Sequence, residues 1–363
     1  MIRIATIGTS WIADKMVRAM SEDGRAVFVG TLSRSPERAA SFTARHGGTL
    51  PFTSIDALAA SDAVDAVYIA SPNALHAGQA LACIRGGKHI MAEKPFCANR
   101  REAAEVFDAA REAGVVALEA MKTVHDPAFR ACQDALPELG RIRSATFRYG
   151  GHDPHYDTLL AGGHANVFDA HMATGSLMDI GVYSVASMVE LFGEPDTVTS
   201  FPVMLDERTR ALTNGPIDGA GVVVAGYPGM VATVHHSKIS DEPAPSTIEG
   251  ELGSLTIERL SHPAAAHLRL YAGAASDTGA TARPATVIDE QDLCLPSREN
   301  TMCYELEDFV SAIEEVEGGA APERAHAGPF GTIGGYQAST LSTLAVMDEA
   351  RRQTGIVFPA DER

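Results

Sequence analysis

A glycine followed by small residues stands at the first bend of the chain, Gly8-Thr9-Ser10-Trp11-Ile12-Ala13. It lies between a strand pattern at 3–8 and helix-spaced apolar residues at Ile12, Met16, Val17 and Met20. Gly8 permits a tight turn, Ser10 leaves room for backbone to approach a pyrophosphate, and Ala13 lets helix and strand pack closely. The pattern is a variant of G-x-G-x-x-G/A with serine in the second place, and an ordinary strand-to-helix turn competes with the nucleotide reading. The next strand candidate ends in Thr31-Leu32-Ser33-Arg34-Ser35, where NAD enzymes place an acid against the ribose 2′-hydroxyl. No acid is there. Ser33 and the forked donors of Arg34 suit a 2′-phosphate instead, which favours NADP(H), with NAD(H) possible; a solvated arginine near a helix start is the alternative. Much further on, Asp179 and Tyr183 lie four apart, so on a helix they share a face and can reach one substrate carbon. A dipole-favoured aspartate and a core tyrosine would give the same letters.

Two longer stretches are more specific. The run Val67-Tyr68-Ile69-Ala70-Ser71-Pro72-Asn73-Ala74-Leu75-His76 is followed by Gly87-Lys88-His89-Ile90-Met91-Ala92-Glu93-Lys94-Pro95. Here the chain resembles the glucose-fructose oxidoreductase and inositol dehydrogenase family, Gfo/Idh/MocA, whose strand ending in T/S-P-N, following His and G-K-H-x-x-x-E-K-P mark the cofactor and catalytic edge. The resemblance makes Lys94 the catalytic lysine, in a Glu-Lys-Pro step that is often cis. It adds Ser71, Pro72, Asn73, His76, Glu93 and Lys94 to Gly8, Thr9, Ser10, Trp11, Ile12, Ser33 and Arg34 as cofactor contacts. The second stretch, Asn166-Val167-Phe168 and then Thr174 to Ser184, is similar to the family's G-G-x-L-x-D-x-G-x-Y/H signature. Tyrosine at its end is the form of the dihydrodiol dehydrogenase and glucose-fructose oxidoreductase branches. Asp179 and Tyr183 thereby join Lys94 as catalytic residues, and Lys122, Tyr156 and Asn166 join Asp179 and Tyr183 around the substrate.

The implied reaction is hydride transfer between nicotinamide and a carbinol or carbonyl carbon of a sugar, polyol, inositol or dihydrodiol-type substrate. A proton must move as well. Tyr183 is the expected general acid/base, its phenol lowered towards neutrality by a nearby Lys94 cation, while Asp179 orients the substrate or Lys94. Lys94 as the proton donor is the other assignment. A nucleotide-sensing regulator without turnover and an NAD-dependent glycoside-cleaving enzyme share the fold and are the competing functions.

The remaining features narrow the class. The run Gly151-His152-Asp153-Pro154-His155-Tyr156-Asp157, with His164 and His171, is rich in metal-binding types, but its spacing matches no helical or hairpin ligand pair, and no metal is expected. His235 and His236 are neighbours in a strand pattern and face opposite sides. Forty-seven acidic residues against 29 basic ones, a net charge of −18, disfavour nucleic acid and anionic membrane as partners. Neither a secretory signal nor an unbroken spanning run is read, and five scattered cysteines suggest reduced thiols, so a cytoplasmic protein is expected.

These residues need a scaffold that brings positions 8, 94 and 179 together. Strand candidates at 3–8, 26–32, 66–70, 89–92 and 115–118 alternate with helical stretches at 36–46, 74–85 and 99–113. That alternation implies βαβ units and an α/β Rossmann domain with a doubly wound parallel sheet over residues 1–122. Residues 123–363 then read as an α+β substrate-binding and oligomerisation domain with a large, mainly antiparallel open sheet. Its strand candidates fall at 142–149, 198–205, 220–227, 230–238, 246–249 and 254–257, with helices at 176–191, 304–315 and 333–352 and a loop or weak hairpin at Tyr271 to Ala285. The open sheet is expected to join a partner subunit into a homo-oligomer.

Overall fold

The computed structural model describes residues 1–263, 265–272, 286–293, 298–329 and 331–362. Its first half is a parallel six-stranded sheet of β1 (Ile2–Ile7), β2 (Ala26–Leu32), β3 (Leu50–Phe52), β4 (Ala66–Ile69), β5 (His89–Glu93) and β6 (Ala117–Ala120). The strand order is β3-β2-β1-β4-β5-β6, so the winding reverses between β1 and β4, and a ligand cleft opens at their carboxyl ends. Both faces are covered, which is why these strands read as short unbroken apolar runs. One face (Ala5, Ile7, Val67, Ile69, Ile90) packs on α4 (His76–Arg85) and α5 (Arg100–Ala113). The first two helices, α1 (Trp11–Asp23) and α2 (Pro36–Arg45), are capped by the side chains of Ser10 and Ser35, and α3 (Ile55–Ala59) follows β3.

After β6 come α6 (Lys122–His125) and α7 (Pro127–Ala135), and then an eight-stranded sheet with helices set among its strands. Its strands are β7 (Ile142–Gly150), β8 (Thr197–Met204), β9 (Asp218–Tyr227), β10 (Met230–Ser237), β11 (Ser246–Gly250), β12 (Gly253–Glu258), β13 (Ala265–Tyr271) and β14 (Val287–Asp292). They lie in the order β14-β13-β12-β11-β7-β10-β9-β8. Every pairing is antiparallel except β7 with β10, which run parallel. The connecting helices are α8 (Pro154–Leu160), α9 (Val182–Phe192) and α10 (Glu207–Arg210).

The inner face, with Phe147, Ala232 and Val234, packs on α9 and merges with the second face of the Rossmann sheet (Ile4, Tyr68, Met91, Leu118) in one continuous core. The register puts Thr199, Phe201, Val222, Val224, Val231, Thr233 and Thr146 on the opposite face, where Phe201 is 61% exposed. The last two helices, α11 (Met302–Glu317) and α12 (Ile333–Thr354), return to the first half: α11 packs on α1, and α12 packs on α5 and β6 as well as on α9 and β8. The helical stretch Ala170–Phe192 is long and apolar enough to cross a membrane by composition, but 67% of its apolar 18-residue window is buried in the protein. From residue 273 onward, the stretch expected as a loop or hairpin lies outside the described residues.

Candidate active site

The nucleotide end of the cleft is built at β1. Gly8 has φ 110°, and a Cβ there would sit 2.6 Å from the Ala70 carbonyl oxygen at the end of β4, so only glycine lets the two strand ends approach. Ser10 caps α1 by accepting the Ala13 N–H, which leaves the helix's amino end open to a phosphate group. Trp11 is 75% exposed at the first turn. The Ser33 hydroxyl accepts the Ser35 N–H at 3.3 Å and keeps its own proton to donate. Arg34 is exposed, and among the described residues no ion pair engages it. Thr9 lines a hollow of about 380 Å³ with Arg38, Ser41 and Arg45. Arg38, which the sequence reading passed over, adds a second cation four residues after Arg34. This arrangement fits a dinucleotide with a 2′-phosphate.

The two turns after β4 and β5 hold each other. The Lys94–Pro95 peptide is cis. His76 is fully buried, with Nδ1 3.2 Å from the Pro95 carbonyl and Nε2 2.8 Å from that of Ser71, and burial pushes its pKa down. Expected as a cofactor contact, it braces the two turns through both ring nitrogens. The Asn73 amide donates to the Ala173 carbonyl at 2.8 Å, linking the β4 turn to the second half of the chain, and the Ser71 hydroxyl donates to Gln79 at 2.6 Å. Behind Pro95, Glu119 accepts the Phe96 N–H at 2.9 Å and the Thr340 hydroxyl at 2.8 Å. Burial, first of all, pushes the Glu119 carboxyl up to about 7.

At the centre, Lys94 donates to the Asp179 carbonyl at 2.5 Å and to its Oδ1 at 3.1 Å. Asp179 lies in a π-helical turn, Leu177–Gly181, which leads into α9. The simple α-helical spacing expected for Asp179 and Tyr183 is thus replaced by a wider turn, a form that recurs at functional sites. Both residues still meet Lys94, whose Nζ lies 4.9 Å from the centre of the Tyr183 ring. Lys122 Nζ is 5.6 Å from the same ring, and Tyr149 of β7 meets it edge-on at 5.1 Å.

The electrostatics correct one expectation. Burial, followed by the Glu93 carboxylate and Tyr149, drives the Tyr183 phenol well above its ordinary value. Lys94 faces the ring and donates to Asp179, and the net shift of the phenol is upward. Burial works against the Lys94 ammonium, but Asp179 and Glu93 more than offset it and hold its pKa up. Burial likewise opposes the Asp179 carboxylate, yet the charges of Lys94 and Lys238 hold it well below the usual range. Lys122 is shifted down, chiefly by burial. Tyr68 donates its hydroxyl to Glu93.

Of the other expected substrate contacts, Tyr156 sits on α8 between the rings of His152 and Phe168, and Asn166 is exposed. Three histidines of the His/Asp run each pair with one aspartate, His152 with Asp157, His155 with Asp153 and His164 with Asp169, while His171 meets Asp169 through its backbone N–H. His236 is buried with Nδ1 2.9 Å from the Ser176 hydroxyl, while His235 lies on the other face of β10. Lys238 and Tyr149 were missed by sequence reasoning. Nothing local marks a lysine after a strand or a tyrosine within one as facing position 179.

A doubly wound nucleotide cleft whose own lysine meets an aspartate and a tyrosine from the other part of the chain defines a nicotinamide-dinucleotide oxidoreductase. The chain belongs to the Gfo/Idh/MocA oxidoreductase family. Residues 2–121 match its NAD-binding Rossmann-fold model, and residues 135–256 match its C-terminal domain. Over 362 residues the chain is 37% identical to scyllo-inositol 2-dehydrogenase (NADP(+)) IolU of Bacillus subtilis (strain 168), covering 100% of both chains. It is 38% identical over 363 residues to the uncharacterized oxidoreductase YgjR of Escherichia coli (strain K12), covering 99% of each. The 3-ketoreductase KijD10 of Actinomadura kijaniata, solved with NADP, has the same fold, with a TM-score of 0.75 over 97% of each chain at 24% identity.

Proposed function

We propose that this chain is an NADP(H)-dependent dehydrogenase or reductase acting on one CH–OH/C=O position of a polyhydroxylated ring of the inositol or sugar class. The observation that carries this reading is the convergence of Lys94, Asp179 and Tyr183 beside the carboxyl ends of β4 and β5. Full-length likeness to an enzyme named for scyllo-inositol and NADP(+) supports the substrate class and the cofactor, as do Ser33, Arg34 and Arg38, with no acid at the end of β2 itself; Glu37, which borders the same hollow, accepts from the Ser35 hydroxyl. Gly8, Thr9, Ser10, Trp11 and Ile12 would hold the dinucleotide at its pyrophosphate end, and Ser71, Pro72, Asn73 and Glu93 would border its nicotinamide end. When bound, the nicotinamide gives or takes the hydride.

The chain's own groups handle the proton. Tyr183, kept as a neutral phenol, donates its O–H to a carbonyl oxygen that gains negative charge, and the Lys94 ammonium stabilises the same oxygen. Asp179 stays ionised, orienting Lys94 and keeping it charged. Lys122, Tyr156 and Asn166 complete the substrate's surroundings. With both donors protonated near neutrality, the site is best prepared for the reduction direction.

Residues 1–122 form the nucleotide-binding unit and residues 123–363 the substrate and assembly unit in this reading. Phe201 and Val203, 61% and 53% exposed on the outer sheet face, favour a homo-oligomer closed over that face. Four described cysteines, free and buried, suit a cytoplasmic setting.

The test is a spectrophotometric screen of scyllo-inositol, other inositols, aldoses, polyols and trans-dihydrodiols with NADP(+) and NAD(+). Turnover of a cyclic polyol with NADP(+) is expected. Cofactor binding without turnover of any substrate would favour the regulator, and cleavage of a nitrophenyl glycoside would favour the glycosidase.

A further inference from the structure

The Asp179 carboxylate has two cationic partners, and the mechanism above uses only Lys94. The other, Lys238, follows β10 directly, and its side chain is 3% exposed against 13% for that of Lys94. An ammonium so enclosed is costly unless its neighbours are charged and well placed. Its neighbours are Asp179 Oδ2, Asp153 Oδ2 at 2.7 Å and the Phe168 ring, 5.4 Å from Nζ to the ring centre. The backbone stitches the same place together: the Asp153 N–H donates to the Lys238 carbonyl and the Gly151 N–H to that of Ser237, both at 2.9 Å. Asp153 also caps α8 by accepting the His155 N–H at 2.8 Å. One buried cation therefore joins the Asp179 carboxylate to the loop that leads into Tyr156.

We propose that Lys238 is a positioning residue of the oxidoreduction: it holds Asp179 Oδ2, so that Oδ1 and the Asp179 carbonyl stay aimed at Lys94, and it fixes the Gly151–Asp153 loop to the same point. The inference rests on the hydride-transfer reading above. Among the groups around Asp179, Lys94 comes from the β5 turn and Lys238 from the residue just after β10. Tyr183 of α9, Tyr149 of β7 and Glu93 of β5 line the same centre. On the far side of the π-turn, Asp218 of β9 is bound by the Leu177 N–H at 2.7 Å and His236 of β10 by Ser176. Without Lys238, Lys94 alone must offset the burial of the carboxylate. Loss of an opposite charge in contact raises a carboxyl pKa by roughly one to three units. In such a variant the Asp179 carboxyl would move back towards the ordinary carboxylate range, and its hold on Lys94 would loosen.

The experiment compares wild type, Lys238→Met and Lys238→Arg, with scyllo-inositol and NADP(+) as the probe pair, across the acid and neutral range. Lys238→Met should lower kcat by about tenfold or more with a smaller change in KM, since misplacement of about 1 Å can cost far more. The Asp179 carboxyl should titrate about one unit or more higher, and Lys238→Arg should restore most of the loss in kcat. Unchanged NADPH binding, read by fluorescence, establishes that the variants are folded. An unchanged kcat, or an effect on KM alone, overturns the proposal. If the wild type turns over none of the probes, the functional reading fails separately. Carbon NMR titration of labelled aspartate, with Asp179→Asn for assignment, then decides: the Asp179 signal must titrate higher in Lys238→Met, and an unmoved signal overturns the proposal.

Discussion

Replacing Arg34 by alanine should weaken NADPH while sparing NADH. Arg34 is exposed and has no ion pair among the described residues, so the substitution removes no internal contact and should change stability by no more than about 0.5 kcal/mol. A hydrogen bond to a charged group contributes about 1.5–3 kcal/mol, and the exposure of Arg34 argues for the low end. At about 1.4 kcal/mol per decade, NADPH should bind roughly tenfold more weakly. Arg38, in the first turn of α2 beside the same hollow, should carry part of the remaining preference, so the double variant should fall further. The assay is fluorescence titration of both reduced cofactors against wild type and variant, with a thermal melt as the folding control. Equal weakening of NADPH and NADH, or no change in either, would refute a 2′-phosphate site at Ser33-Arg34.

Lys94→Ala and Tyr183→Phe should each cut turnover by roughly 10²–10⁴, and the double variant should lose much less than the product of the two, with NADPH affinity nearly constant; multiplicative losses would separate their roles. Glu119 is raised from its ordinary value to about 7, so its favourable contribution is complete below pH 4.5 and is lost as pH rises to about 7. Urea titrations should show Glu119→Gln gaining on wild type by about 3 kcal/mol across that window and holding level above it; a gap that narrows with rising pH would contradict this. Light scattering should give a mass well above the 38.3 kDa of one chain, and Phe201→Glu with Val203→Lys should shift it towards one chain; a stable wild-type monomer at micromolar concentration would remove the role given to the outer sheet face.

The Rossmann half was largely legible because its signals are local. Helix spacing, serine caps and the glycine at position 8 each report a constraint among residues close in sequence. β3 escaped because three residues, Leu50–Phe52, carry no periodicity; what defines it is contact with β2, where a Cβ on Gly30 would lie 1.8 Å from the Leu50 carbonyl oxygen. The parallel pairing of β7 with β10 is equally non-local, since strands 142–150 and 230–237 look alike in either direction. At the site, residue types pointed to Asp179 and Tyr183, but the π-turn between them depends on packing, and Lys238 gains its meaning only from lying opposite Asp179. The error over Tyr183 has the same origin. A sequence shows that a cation is available but not how deeply the phenol beside it is buried.

The path of α12 bears on how this protein can be cut and recombined. Gln337 donates to the Ala117 carbonyl at 2.9 Å and Thr340 to Glu119, so the C-terminal helix borders the last strand of the nucleotide sheet and backs the turn that carries Lys94. The nucleotide module is thus discontinuous in sequence: its edge is finished by residues more than 200 positions downstream. A fragment ending near residue 122 would expose the apolar surfaces that α11 and α12 cover and leave the Glu119 carboxylate without its Thr340 partner. A chimera that grafts another substrate half onto this cofactor half must keep α11 and α12 with the acceptor, and junctions belong on either side of the second sheet, not at the single crossover after β6.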